Sequence, residues 1–286
     1  MRYTRQVFFI IAMLLVFSTA VYSNIYRPQP ASGSANIEEP IKLPILMYHQ
    51  ISEKPKKWGK YVVSPKELEH DIKLVLDRGF TPITVSELVA YVNGEGTLPK
   101  KPIMITFDDG NRSDYIYAFP LAKKYQIKMI SSPVGAYSER YSNLDDHNVD
   151  YAHLTWAEMR EMQDSGLFEF QNHSYNLHNF DVNRKGCLKK KNESESDYKK
   201  LILEDFKKSQ QLFVDQKLTV PICFTYPFGS TNDMLLQYVK QNGFIATLGT
   251  YEHVNQLSGT TDELYDLGRF NRPHNFDIRR ILNQAE

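Results

Sequence analysis

The run Ile103-Met104-Ile105-Thr106-Phe107 ends on two adjacent carboxylates, Asp108 and Asp109, and then on Gly110. Such a run reads as a buried strand. Carboxylates at its end are costly to bury unless they are paired, hydrogen-bonded or bound to a cation. Gly110 permits the sharp turn that a strand end of this kind needs. Residues 43–48, 167–171, 220–226 and 244–248 read as further strands. Polar or turn residues follow most of them as well: His49 follows the first, Asn172-His173-Ser174 follows 167–171, and Pro227-Phe228-Gly229 follows 220–226.

Helix starts lie between these runs. Ser64-Pro65-Lys66-Glu67 supplies an N-cap, a proline at the first helical position and a glutamate at the third, ahead of Leu68, Ile72 and Val75 at helical spacing. Thr84-Val85-Ser86-Glu87 and Thr155-Trp156-Ala157-Glu158 repeat the capping pattern. Strands alternating with helices predict an α/β fold with a largely parallel sheet or barrel, and in a barrel the strand C-termini converge on one face, where active sites are built. The stretch 183–197, with Lys189-Lys190-Lys191 and an Asn/Glu/Ser tract, reads as a solvated surface insertion.

Lys+Arg and Asp+Glu stand at 34 each, so no overall field points to nucleic acid or to anionic lipid. At the N-terminus, Arg2 and Arg5 precede an apolar stretch over 7–17 and then small and polar residues, the layout of a signal peptide or N-terminal anchor over 1–23. Residues 24–40, with Arg27-Pro28-Gln29-Pro30 and Ser32-Gly33-Ser34, read as a linker, leaving 41–286 as the globular domain of a secreted or surface-held protein. The two cysteines, Cys187 and Cys223, make no disulfide framework; one bridge and two free thiols both remain open.

His173 and His178 stand five residues apart. On a regular helix that spacing separates them by about 140°, so a shared metal would require a loop or irregular turn. Two imidazoles and one carboxylate suit Zn²⁺ or another first-row divalent ion with positions left open. Thr106-Phe107-Asp108-Asp109-Gly110, then His173-Ser174 with His178, then Tyr226-Pro227-Phe228-Gly229 resemble, in order and approximate separation, the motifs of the polysaccharide deacetylases of carbohydrate esterase family four. The resemblance runs over about 43–271. Met47-Tyr48-His49 and the widened histidine spacing are most similar to the branch acting on poly-N-acetylglucosamine.

That resemblance implies a distorted (β/α) barrel with fewer than eight strands. It also implies a divalent ion (Zn, Co or Ni) on Asp109, His173 and His178, and Asp108 as general base. Pro227 and Phe228 would line the substrate site, with a backbone N–H near Phe228 facing the oxyanion. The implied substrate is an extracellular N-acetylglucosamine polysaccharide, with poly-β-1,6-N-acetylglucosamine favoured over peptidoglycan or chitin oligomers; a silent carbohydrate-binding relative is the contrasting class. The chain departs from the pattern at Thr225, where many members carry an arginine that restrains the base, and it has no match to the later tryptophan motif. His274 is a candidate general acid, and His49 a second candidate or a hydrogen-bond donor to substrate. Trp58 and Tyr61 offer an aromatic platform for a sugar or simply a packed loop.

Overall fold

The computed structural model describes residues 40–181 and 184–286. Residues 1–39, which hold the expected export segment and all but the last residue of the linker, lie outside the described residues. Among the described residues, no helix is long and apolar enough to cross a membrane.

Seven strands position the site: β1 Ile45–Tyr48, β2 Pro102–Asp109, β3 Met129–Pro133, β4 Phe168–Phe170, β5 Cys223–Thr225, β6 Ala246–Leu248 and β7 Phe270–Asn271. All the pairings among them are parallel. Ladders run β7–β1–β2–β3–β4, and a separate ladder joins β5 to β6. Two single bridges connect the pieces, Asn172 to Phe224 and Leu248 to Leu267, the second lying just before β7. Parallel pairing therefore passes through every strand of the set, with two thin seams where a full ladder gives way to one bridge. Side-chain amides fill in there: Gln171 Oε1 accepts from the backbone N–H groups of Ile222 (3.1 Å) and Cys223 (2.8 Å), and Asn255 bonds to both the N–H and the C=O of Gly268.

The alternation of a strand explains the core. Ile103, Ile105 and Phe107 of β2 pack outward with Leu68, Ile72 and Val75 of the helix Pro65–Asp77 and with Met159 and Met162 of the helix Trp156–Asp164. Met104 turns the other way, joining Ile45, Ile130, Cys223, Ala246 and Leu248, which come from four of the other strands. Thr106 and Asp108 follow Met104 on that inner face, both buried. All three expected capping boxes form, at Ser64, Thr84 and Thr155.

Three readings change. β3 was not among the expected strands, because Ser131-Ser132-Pro133 resembles a turn; its hydroxyls are satisfied internally, Ser131 by Asp114 (3.0 Å) and Ser132 by Thr225 (2.8 Å). The stretch taken as a solvated insertion is partly packed: Arg184 is buried in an ion pair with Glu193, Cys187 is fully buried, and Tyr198 donates to the Cys187 carbonyl (2.7 Å). Its polar tract caps a helix instead, Ser194 accepting from the N–H of Asp197 at the start of Glu195–Asp215. The open question of the cysteines also closes, since both are free buried thiols.

Candidate active site

A cavity of about 750 Å³ opens over the C-terminal ends of the strands. His49, Asp108, Asp109, His173, His178 and Phe228 all line it, so residues from four separate strand ends meet there.

In a regular strand, Asp108 and Asp109 would face opposite sides of the sheet. They do not, because Asp109 takes a left-handed backbone (φ 72°) and Gly110 follows with φ 65°, which turns the second carboxylate toward the cavity. Gly110 admits no side chain, as a Cβ there would lie 2.5 Å from the Cβ of Pro133. The two carboxylates then meet different surroundings.

Asp108 is saturated. Arg269 donates to both of its oxygens, at 2.7 and 2.8 Å, and also to Thr106 Oγ1 (3.2 Å) and the Gly249 carbonyl (2.8 Å). Burial alone would raise the pKa of Asp108, but the Arg269 guanidinium outweighs it and holds the carboxyl below its ordinary value, ionised. Arg269 thus supplies the restraint that Thr225 lacks. It went unnoticed in the sequence; the signal was an arginine set between Leu267 and Phe270 in an otherwise apolar strand end.

Asp109 is not saturated. Its Oδ1 is buried without a hydrogen-bond partner and lies 3.2 Å from His178 Nε2 and 3.5 Å from His173 Nε2. His173 Nδ1 donates to the Thr225 carbonyl at 2.7 Å, so a neutral His173 must present an Nε2 lone pair to the carboxylate. Lone pairs and a negative oxygen converging within 4.8 Å repel one another unless a proton or a cation lies among them. Burial opposes a charged His173, yet Asp109 and Asp108 pull its pKa up; at His178, burial and His173 push it down to about 4. The three residues therefore form a set that could hold a metal ion, with His178 already a neutral donor.

The wall is completed by Pro227–Gly229, where Phe228 is left-handed (φ 58°) and its ring lies 4.3 Å from that of His178. Gly229 is also obligatory, since a Cβ would fall 1.9 Å from Thr250 Oγ1. His49 also lines the cavity, its ring packed at a tilt against that of Tyr61 (4.7 Å between centroids), with its Nδ1 buried and unpartnered. Tyr61 is 47% exposed at the rim beside Lys60, and Lys185 and Glu252 also line the cavity. His274 is not brought there. Its Nδ1 lies 3.0 Å from Glu67 and its ring packs on Trp58 (5.0 Å), whose indole N–H donates to the Ser52 carbonyl. Neither Trp58 nor His274 lines the cavity.

Residues 95–246, more than half of the chain, match the polysaccharide deacetylase family. The chain belongs to that family. A curated relative, the poly-beta-1,6-N-acetyl-D-glucosamine N-deacetylase of Staphylococcus aureus (strain MSSA476), is 31% identical over 192 residues. That match takes in 66% of this chain and 61% of the relative, so the chain spans about three fifths of its length. A Streptococcus pyogenes deacetylase solved with acetate is 26% identical, with a TM-score of 0.68 over 86% of this chain and 99% of that one. A de-N-acetylase from Aggregatibacter actinomycetemcomitans shares the fold, at TM-score 0.74 and 24% identity over 85% and 99% of the two chains. As a polysaccharide deacetylase the chain keeps both aspartates and both histidines inside the family-matched stretch, whereas His49 and Arg269 lie outside it.

Proposed function

We propose that this polysaccharide deacetylase is a metal-dependent enzyme, with residues 41–286 as its catalytic domain. It removes acetyl groups from N-acetylglucosamine units of an extracellular polymer, poly-β-1,6-N-acetylglucosamine before peptidoglycan or chitin. The observation that carries the reading is the pairing of a saturated, ionised Asp108 with an unsatisfied Asp109–His173–His178 set on one cavity wall. The substrate rests on what the Staphylococcus aureus relative is named for, together with the export layout of residues 1–23.

Asp109, His173 and His178 would hold a divalent ion such as Zn²⁺, Co²⁺ or Ni²⁺, which when bound supplies Lewis acidity toward water and the acetamide carbonyl. Asp108 takes a proton from the attacking water as its oxygen bonds to the acetyl carbon. Arg269 keeps Asp108 free of a proton until that moment. When the carbon–nitrogen bond breaks, the amine nitrogen needs a proton, and His49 is placed to give it, being the imidazole that faces the cavity outside the Asp109 cluster. Phe228 and Tyr61 confine the sugar. Acetate and a glucosamine unit result.

Acetate release is to be measured on β-1,6-linked N-acetylglucosamine oligomers, chitin oligomers and peptidoglycan, before and after prolonged chelation. The β-1,6 oligomers should react fastest, chelation should abolish release, and Zn²⁺, Co²⁺ or Ni²⁺ should restore it. A preference for either other glycan overturns the substrate, full activity in metal-free protein overturns the metal dependence, and no release from any of the three overturns the enzyme.

A further inference from the structure

The two histidines of the cluster are anchored unequally. His173 is fixed through its own ring, by the bond from Nδ1 to the Thr225 carbonyl, and is 1% exposed. His178 lies on a loop, and its main chain is held by Tyr137, whose hydroxyl donates to the His178 carbonyl at 3.1 Å. Tyr137 belongs to the helix Gly135–Ser142 and packs its ring against that of His153, with centroids 4.5 Å apart and the planes tilted by 45°. His153 Nδ1 lies 3.0 Å from the carbonyl oxygen of Asp109 and donates to it. It is locked in place by backbone bonds on both sides, from Leu154 N–H to the Gly110 carbonyl (2.8 Å) and from Arg112 N–H to the Ala152 carbonyl (2.9 Å). One packed pair of rings therefore holds the main chains of two of the three clustered residues, and one of those, Asp109, sits in a left-handed conformation that is costly for a non-glycine residue.

We infer that Tyr137 and His153 are positioning residues that set the separation of Asp109 from His178 and thereby the affinity of the cluster for a divalent ion. Neither side chain lines the cavity, so they act through the residues they hold. The inference rests on the metal reading of the cluster. The ring contact matters because it makes the two bonds one unit: loosening either partner frees the other, and the effects of removing both should fall short of their sum.

The test is Zn²⁺ affinity of the purified full chain, by competition with a chromophoric chelator, alongside the thermal midpoint of the metal-free protein. Tyr137→Phe keeps the ring contact and loses the donor; His153→Ala loses both; His153→Asn returns an N–H near the place of Nδ1. Tyr137→Phe and His153→Ala should each weaken Zn²⁺ binding roughly tenfold or more, as loss of groups that orient ligands does elsewhere. The Tyr137→Phe midpoint should stay near that of the parent chain, and His153→Asn should recover much of what His153→Ala loses. Affinities within twofold of the parent in Tyr137→Phe and His153→Asn, together with no difference between His153→Asn and His153→Ala, would overturn the inference alone. A parent chain that binds no Zn²⁺ would overturn the metal reading and this inference with it.

Discussion

Two buried aspartate–arginine pairs flank the same short strand, yet only one opens on a cavity. Arg269, just before β7, grips Asp108; Arg272, just after it, donates to Asp71 from Nε (2.5 Å) and from its second terminal nitrogen (3.3 Å). All four side chains are nearly inaccessible. Around Asp71 the remaining space is filled, because Tyr48 donates to the same oxygen at 2.7 Å and Arg272 also faces Glu67 at 3.7 Å, which itself partners His274. Asp108 instead borders about 750 Å³ of open volume and three clustered side chains that could hold a metal ion. Pairing with arginine fixes the charge of a buried carboxylate; access to a reacting molecule decides whether that charge is used.

The sharpest way to break the comparison is to neutralise each carboxylate. Asp108→Asn should lower the rate of acetate release by about a hundredfold or more while bound metal stays near the parent level, in line with loss of a general base. Asp71→Asn should leave the rate per folded molecule close to that of the parent. Comparable losses in both variants would show that Asp108 acts through structure.

Removing the arginines separates stability from catalysis. Arg269→Met and Arg272→Met each strand a buried carboxylate, and each should cost about 3–5 kcal/mol in chemical denaturation. Only Arg269→Met should also shift the pH–rate profile. Without the guanidinium the pKa of Asp108 rises, so the base is protonated at higher pH and the acid limb of the profile moves up.

The smallest effect belongs to Glu67. Burial works against its charge, but N–H groups of Ser64 and Asn275 and the side chain of His274 bring its pKa down to about 2 from an ordinary 4.5. A carboxyl depressed on folding stabilises the protein above its ordinary pKa, and that contribution is lost as pH falls from 4.5 through about 2. Denaturation midpoints compared between about pH 6 and pH 3 should therefore decline less steeply for Glu67→Gln than for the parent.

The sequence carried the two aspartates and His173 plainly, because they close short apolar runs whose ends must be polar or must turn, and His178 stood out only by its spacing from His173. The resemblance then grouped them. Arg269 was hidden for a physical reason: its partner lies 161 residues away, and the strand beside it is two residues long, too brief to show a period. His274 looked functional because it follows an Arg-Pro pair, but its ring is taken by Glu67 and Trp58. β3 escaped because its two serines are polar by type and satisfied only through contacts with Asp114 and Thr225, which sequence spacing does not reveal.

The seam between β4 and β5 has a consequence for how the molecule breathes. Among the described residues only Asn172 and Phe224 form a bridge there, and the bond from His173 to Thr225 is a side-chain stitch across the same gap. Amide hydrogen exchange at Asn172 (bonded to the Cys223 carbonyl, 3.1 Å) and Thr225 (to the Asn172 carbonyl, 2.8 Å) thus reports the opening of this line. A cation that fixed His173 would tighten the stitch. Loading the cluster should accordingly slow exchange along the seam far more than in the continuous β1–β2–β3 ladders, so that the metal's arrival is written in the rhythm of the sheet itself.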